Sequence, residues 1–212
     1  HTVTLFERDE ELGGQARRIA RLAHKADFGQ GLRYLISSTQ KAGVRLELGR
    51  ELEVDQIREG RPEVLVVAAG SQPAPPDIRG IKDTDWHSYL DVLDAPARVG
   101  RRVAVWGGGF IACETALFLA ELGREVVLIS PVTELVPDMG PRAKWYLLNQ
   151  LNQRPEIRIV KPAQPPRLEP GRLFIRIDEK EEVIEEIDDL ISAAQRLPET
   201  RLSKKVEQAR LP

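Results

Sequence analysis

The chain has 212 residues, with 31 Lys plus Arg against 33 Asp plus Glu and a formal net charge of −2. That balance gives no electrostatic drive toward nucleic acid or an anionic membrane, and the apolar runs fall far short of a bilayer span. The single cysteine, Cys113, excludes an internal disulfide, a paired-thiol redox centre and a self-contained iron–sulfur site, and suits a reducing cytoplasm.

In chain order, Thr2–Phe6 is a short β-rich run ending at Glu7. A start at His1, directly in strand-like sequence and with no signal peptide visible, points to a piece of something longer. Leu12-Gly13-Gly14-Gln15 reads as a turn. Phe28, Leu32, Leu35 and Ile36 have helical spacing, so a helix is predicted from about Phe28 to Ala42, closed by Gly43. Val44–Leu48 reads as a strand, Leu52–Arg58 as a short helix, and Glu63–Ala69 as a strongly apolar strand stopped by Gly70. Pro73, Pro75 and Pro76 impose an extended crossing. Ser88–Leu93 reads as a short helix.

Val103–Trp106, Gly107-Gly108-Gly109 and the following run to Leu122 then read as strand, glycine turn and helix, with Gly123 and a second strand, Glu125–Ser130, behind them. Gly107, Gly109 and Ala112 have the spacing of a dinucleotide-binding turn. The first Gly permits the turn, the second lets a pyrophosphate approach the backbone, and the small third residue lets helix and strand pack. Phe110 and Ile111 open the helix, whose N–H groups and partial positive charge face the phosphates. Beyond Ser130 come a Pro-containing loop, a helix from about Arg142 to Asn152 and a strand at Ile157–Val160. Arg172–Ile177 and Glu182–Ile187 read as a hairpin turning at Asp178–Glu181, with the acidic run to Asp189 as its solvated face. Leu190–Ala194 is a last strand, and the tail from Glu199 reads as charged and featureless.

The sequence repeats itself. Val3–Glu7 through Leu12 aligns with Val126–Ser130 through Leu135 at an offset of 123, and Leu65–Pro73 aligns with Leu190–Pro198 at an offset of 125. Two landmarks at nearly equal offsets imply two copies of one dinucleotide-binding plan. In the second copy the glycine turn lies about twenty residues before Ser130. Its counterpart in the first copy would fall before His1.

The words Leu5-Phe6-Glu7-Arg8, Leu12-Gly13-Gly14-Gln15, Val67–Pro73, Ser88–Leu93, Gly107–Glu114 and Ile191–Ala194 carry a resemblance in consistent order from residue 1 to about 202. By them the chain resembles the nucleotide-binding region of the NADH:flavin oxidoreductase family that includes trimethylamine dehydrogenase and bacterial 2,4-dienoyl-CoA reductase. The resemblance implies an α/β fold in which a Rossmann-like NAD(P)-binding domain, residues 98–187, is inserted in a truncated FAD-binding domain, residues 1–97 and 188–212. It implies FAD and NADH or NADPH as cofactors, hydride passing from NAD(P)H to FAD. FMN and an iron–sulfur cluster would belong to a barrel domain or partner subunit outside these residues. This sequence departs from the family pattern in lacking the barrel, the first glycine turn and a later Gly-Asp segment, and in placing Gln195 where Gly is expected. Those departures keep a second reading open, a non-catalytic domain binding ADP or another nucleotide.

Glu7 ends the second strand of the first copy, where an acid can hold both ribose hydroxyls of an adenosine; the plainer reading is a surface acid paired with Arg8. Gly14 and Gln15 sit where the family's chain passes FAD, and Ala69 and Gly70 sit at the first crossing. Ser130 replaces the acid that commonly binds the NADH ribose, which leans the choice toward NADPH if Arg142 or Lys144 assists. Glu114 lies one turn into the helix, either near nicotinamide and flavin or merely satisfied by the helix dipole. Cys113 and the tryptophans read as packing residues, the histidines show no ligand-like spacing, and no catalytic residue is assigned.

Overall fold

The computed structural model describes residues 1–78, 81–82, 86–177 and 180–209. They form two compact units: unit 1, His1–Gln72 with Pro198–Pro212, and unit 2, Pro73–Leu197.

Unit 2 is built on a parallel five-stranded sheet. Its strands are β4 (His87–Ser88), β5 (Arg102–Trp106), β6 (Glu125–Ile129), β7 (Ile157–Val160) and β11 (Asp189–Ser192), in the order β4-β11-β5-β6-β7. Four of the five residues of β5 and of β6 are buried, as their continuous β-branched and apolar sequences require of strands covered on both faces. Among the described residues three α-helices belong to this unit: α4 (Tyr89–Asp94), α5 (Phe110–Glu121) and α6 (Pro141–Asn152). Ser88 caps α4 reciprocally with Asp91. Helix α5 is apolar nearly all round, so it is buried rather than amphipathic. A small antiparallel sheet of β8 (Arg167–Glu169), β9 (Arg172–Ile177) and β10 (Lys180–Glu185) supplies Leu173, Ile175 and Ile184 to a core shared with Trp106, Ile129 and Leu190.

Unit 1 contains β1 (Thr4–Glu7) and β2 (Arg45–Leu48), paired in parallel, with α1 (Gly14–Ile19), α2 (Ala26–Lys41), α3 (Val54–Gly60) and α7 (Arg201–Gln208). Its faces are less closed than those of unit 2. Leu12, Leu32, Ile36, Leu46 and Leu48 line an open cleft of about 830 Å³. Two short crossings, β3 (Ser71–Pro73) and β12 (Arg196–Pro198), form a two-stranded sheet.

Several expectations are corrected. Residues 63–69 form no strand, and Val64 and Val66 are 76 % and 80 % exposed. An apolar run becomes a strand only where a neighbouring strand takes up its N–H and C=O groups, and none does so here among the described residues. The tail is not featureless: α7 buries Val206, and Lys205 and Arg201 pair with Glu53 and Glu51. Gly14 opens a helix rather than a turn. The hairpin's second strand lies two residues earlier than expected, and 178–179 of its turn lie outside the described residues. The acidic run is not wholly a solvated face. Asp188 accepts the Arg101 and Arg102 N–H groups at 2.7 and 2.9 Å, and Asp189 accepts that of Gly100 at 2.7 Å and meets His87 Nε2 at 3.2 Å. Unit 2 spans Pro73–Leu197, and β4 and β11 belong to its sheet.

Candidate functional site

The glycine turn stands at the C-terminal ends of β5 and β6. Gly107 has φ +146°, and its N–H donates to the Ile129 carbonyl at 2.9 Å. A Cβ there would lie 2.8 Å from the Ala193 carbonyl oxygen and 3.0 Å from the Ala112 Cβ, so strand, turn and helix meet with no room for a side chain. Ala112 is fully buried at that contact. Gly109 is different. It is exposed, it caps α5, and a Cβ built on it meets nothing within 4 Å. The space over Gly109 therefore adjoins the first turn of α5, entered by Phe110, Ile111 and Ala112, where a helix leaves its leading N–H groups without intrahelical acceptors. This is an open cradle of the kind a pyrophosphate fills.

Sequence reasoning missed how tightly the next loop folds onto this turn. A Cβ on Gly108 would come within 2.2 Å of Ser130 Oγ and 2.6 Å of Val132 Cγ2. Ser130 is completely buried; its hydroxyl donates to the Val132 carbonyl at 2.9 Å and accepts the Val132 N–H at 3.1 Å. The Gly108 carbonyl accepts the N–H of Val136, a buried β-branched residue at φ +46°. Left-handed backbone at such a residue is an outlier of the kind that clusters at functional sites. The repeat offset gave the one available signal: Val136 aligns with Gly13, whose φ is +116°. Lys144 donates to Glu134 Oε1 at 2.6 Å and holds that carboxyl below its usual range, while Arg142 lies exposed at the start of α6.

Inside α5, Glu114 is buried and Cys113 is fully enclosed. Burial first, and the Glu114 charge second, push the Cys113 thiol up to about 12. A thiol so held is packing, not a nucleophile.

The first-copy residues gather in unit 1. Gln15 Nε2 donates to the Ser71 carbonyl at 2.5 Å, which brings the start of α1, with Gly14, to the exposed Ala69–Gly70 segment. Arg8 lies beside Gln72; with the amide oxygen facing it, that oxygen accepts from Nη2 at 3.0 Å and Nη1 at 3.2 Å. Arg8 also meets Asp9 at 3.9 Å. Glu7 ends β1, and its Oε1 accepts the Asp9 N–H at 3.0 Å. Gly107, Gly109, Phe110, Ile111, Ala112, Glu114 and Ser130 belong to unit 2, where Ser130 lies beneath the turn rather than on its open side.

A parallel sheet with a glycine turn at its carboxyl edge, together with a second, related βαβ remnant, defines the α/β class of two-dinucleotide-binding-domain flavoprotein reductases. Residues 6–211 match the pyridine nucleotide-disulphide oxidoreductase family, and the chain belongs to it. The chain is 33% identical over 153 residues to a bilirubin reductase of Mediterraneibacter gnavus and 29% identical over 157 residues to an NADH oxidase of Thermoanaerobacter brockii. Each match covers 72% of this chain and 24% of the relative, so the chain spans about a quarter of the length of these curated relatives. Among solved structures it is similar to 2-naphthoyl-CoA reductase in complex with 2-naphthoyl-CoA, with a TM-score of 0.90 and 25% identity over 97% of this chain and 31% of that one.

Proposed function

We propose that the chain is the nucleotide-binding portion of a pyridine-nucleotide-dependent flavin oxidoreductase of the NADH:flavin oxidoreductase type, working in the cytoplasm. Unit 2, with residues 98–187 as its nucleotide-binding core, binds NADH or NADPH. Unit 1 contributes Glu7, Arg8, Gly14, Gln15, Ala69 and Gly70 to an FAD site. The bound cofactors supply the chemistry, hydride passing from NAD(P)H to FAD, with electrons continuing to an FMN- and cluster-bearing domain or partner subunit outside these residues. The protein's part is to bind and orient. The α5 N-terminus and the bare Gly109 backbone hold the pyrophosphate, and Glu114 supplies a buried acid one turn behind. Relatives named as reductases and an oxidase favour this redox reading over a purely structural nucleotide-binding domain.

The observation that carries the proposal is the contrast between Gly107, where no side chain fits, and Gly109, where one fits but would occupy the cradle. Calorimetric titration with NADH, NADPH and ADP tests it. The native chain is expected to bind, and Gly109→Trp, whose Cβ would meet nothing within 4 Å, is expected to weaken binding at least about tenfold. Undiminished binding by that variant, or no binding by the native chain, would overturn the placement. The inward-turned Ser130 hydroxyl leaves Arg142 as the group to test for a 2′-phosphate contact. Ser130→Ala is expected to leave the NADH-to-NADPH preference unchanged.

A further inference from the structure

In a glycine turn of this kind the adenosine ribose lies over the end of the second strand, and the group found there tells a free 2′-hydroxyl from a 2′-phosphate. An acid accepts the ribose hydroxyls, whereas an arginine or lysine takes the phosphate. Unit 2 has neither at that point. Ser130 follows β6 and is completely buried. Residues 131–140 hold the carboxylates of Glu134 and Asp138 and no lysine or arginine.

Backbone donors are equally scarce in this loop. Pro131 and Pro137 have no N–H. The Val132 N–H is turned inward onto Ser130 Oγ at 3.1 Å, and the Val136 N–H is spent on the Gly108 carbonyl at 2.8 Å. What the loop sets against the turn is hydrocarbon. Val132 Cγ2 lies 2.6 Å from the position that a Cβ on Gly108 would take, so its isopropyl group stands on the turn itself, and Val132 is 38 % exposed.

The basic groups around the loop do not reverse this. Lys144 is committed to Glu134 at 2.6 Å and holds that carboxyl below its usual range, so it stays charged. Arg142, at the start of α6, and Lys161, just after β7, are exposed, where a charge is screened and worth little to a ligand. A phosphate dianion beside Val132 would give up hydration without a donor in exchange, in a loop whose own charges are both negative. A ribose with free hydroxyls carries no such charge.

We infer that unit 2 is an NADH site, and that Val132, in the loop after β6, is the residue that turns away the 2′-phosphate of NADPH. The inference rests on the nucleotide reading of unit 2 and narrows it. Discrimination comes from an apolar wall and absent donors rather than from an attracting acid. It runs opposite to the preference that Ser130 suggests in the sequence alone.

Calorimetric titration isolates the 2′-phosphate when ADP-ribose and 2′-phospho-ADP-ribose are run beside NADH and NADPH. The 212-residue chain is expected to bind NADH at least about tenfold tighter than NADPH, and ADP-ribose tighter than its 2′-phosphate derivative by the same ratio. Val132→Arg is expected to narrow both ratios at least about tenfold through tighter binding of the phosphorylated ligands, with NADH affinity held within about threefold. Val132→Leu keeps the hydrocarbon and is expected to keep the ratios. Glu134→Gln, an exposed change that releases Lys144, is a second route and is expected to narrow them by about threefold. Arg142→Ala is expected to leave them unchanged. The affinity for ADP-ribose, which lacks the 2′-phosphate, reports that each variant is folded. The inference is overturned, with the nucleotide reading left standing, if the native chain binds NADPH as tightly as NADH. It is overturned in the same way if Arg142→Ala selectively weakens the phosphorylated ligands, or if Val132→Arg and Glu134→Gln both leave the ratios where they were. If NADH, NADPH and ADP-ribose all fail to bind, the nucleotide reading falls and this inference falls with it.

Discussion

In unit 2, Val126–Ile129 and Leu190–Ile191 are buried, whereas their repeat partners in unit 1, Val3–Phe6 and Leu65–Val66, are exposed or half-exposed. The residue types barely differ between the copies. What differs is the strand between them: β5 turns two apolar runs into the inside of a sheet, and each Val, Leu or Ile so enclosed contributes about 1.5–3 kcal/mol relative to exposure. The loops after the matched strands differ in the opposite sense. Unit 1 meets the left-handed position with Gly13, and unit 2 forces Val136 into it, bonded to the glycine turn through the Gly108 carbonyl. Unit 2 can sustain an unfavourable backbone because its packing over-determines it. The comparison teaches that pattern specifies a potential strand, while its neighbours decide whether that strand exists.

The hardest way to strain this comparison is to attack the contact on which the unit 2 sheet closes. Gly107→Ala places a Cβ against the Ala193 carbonyl and forces φ +146° on a residue that rarely adopts it. The expected loss is about 2–4 kcal/mol. Urea unfolding followed by tryptophan emission measures it for unit 2 alone, because Trp86, Trp106 and Trp145 all lie in that unit. A loss below about 0.5 kcal/mol, the level of an ordinary surface change, would mean that β5, α5 and β11 do not meet as described.

A smaller effect separates the turn from the loop that covers it. Gly108→Ala has no backbone strain, but its methyl meets the Ser130 hydroxyl, which two bonds to Val132 hold in place. Overpacking of this kind costs about 1–3 kcal/mol. Adding Ser130→Ala to Gly108→Ala is expected to recover part of that loss. The double-mutant cycle then reads the coupling between the two sites. Additive losses would show that the loop can move away, and that unit 2 is as open there as unit 1.

Much of this organisation was legible in the sequence. Gly107, Gly109 and Ala112 disclosed strand, turn and helix: Gly107 and Ala112 meet where no larger side chain fits, and Gly109 borders open space. The repeat located the second copy. Other features were illegible for physical reasons. Val64–Val67 has every local mark of a strand, but a ladder is a property of two segments, and no described strand pairs with it. The tail helix rests on Val206 and on exposed pairs to Glu51 and Glu53, which lie about 150 residues away in sequence. Asp188 and Asp189 looked like two more charges in an acidic run. Their role, receiving N–H groups of residues 100–102, appears only when β11 meets β5. The two hydrogen bonds of Ser130 to the Val132 backbone likewise could not be read from its place at a strand end.

The effect that takes the finest measurement concerns how dry the unit 2 interior is, and it is read as a pH dependence above pH 9. The Cys113 thiol is raised from 9.0 to about 12, chiefly by burial, so in the native chain it stays protonated while the unfolded chain ionises above pH 9. Between those values the native state holds the extra proton. The stability this group contributes is therefore fully present below pH 9 and declines as pH rises toward 12, by at most about 1.4 kcal/mol per pH unit. Other groups titrate in the same range, so the measurement is a difference: Cys113→Ala is expected to be less stable at pH 7 but to lose stability less steeply between pH 9 and 10.5. A thiol reagent at pH 8 should likewise leave the folded chain unmodified and react once urea unfolds it. Equal slopes for the two proteins, with prompt labelling of the folded chain, would mean that water reaches the α5–β5 contact. The burial contrast between the two units would then fail at its best-packed point.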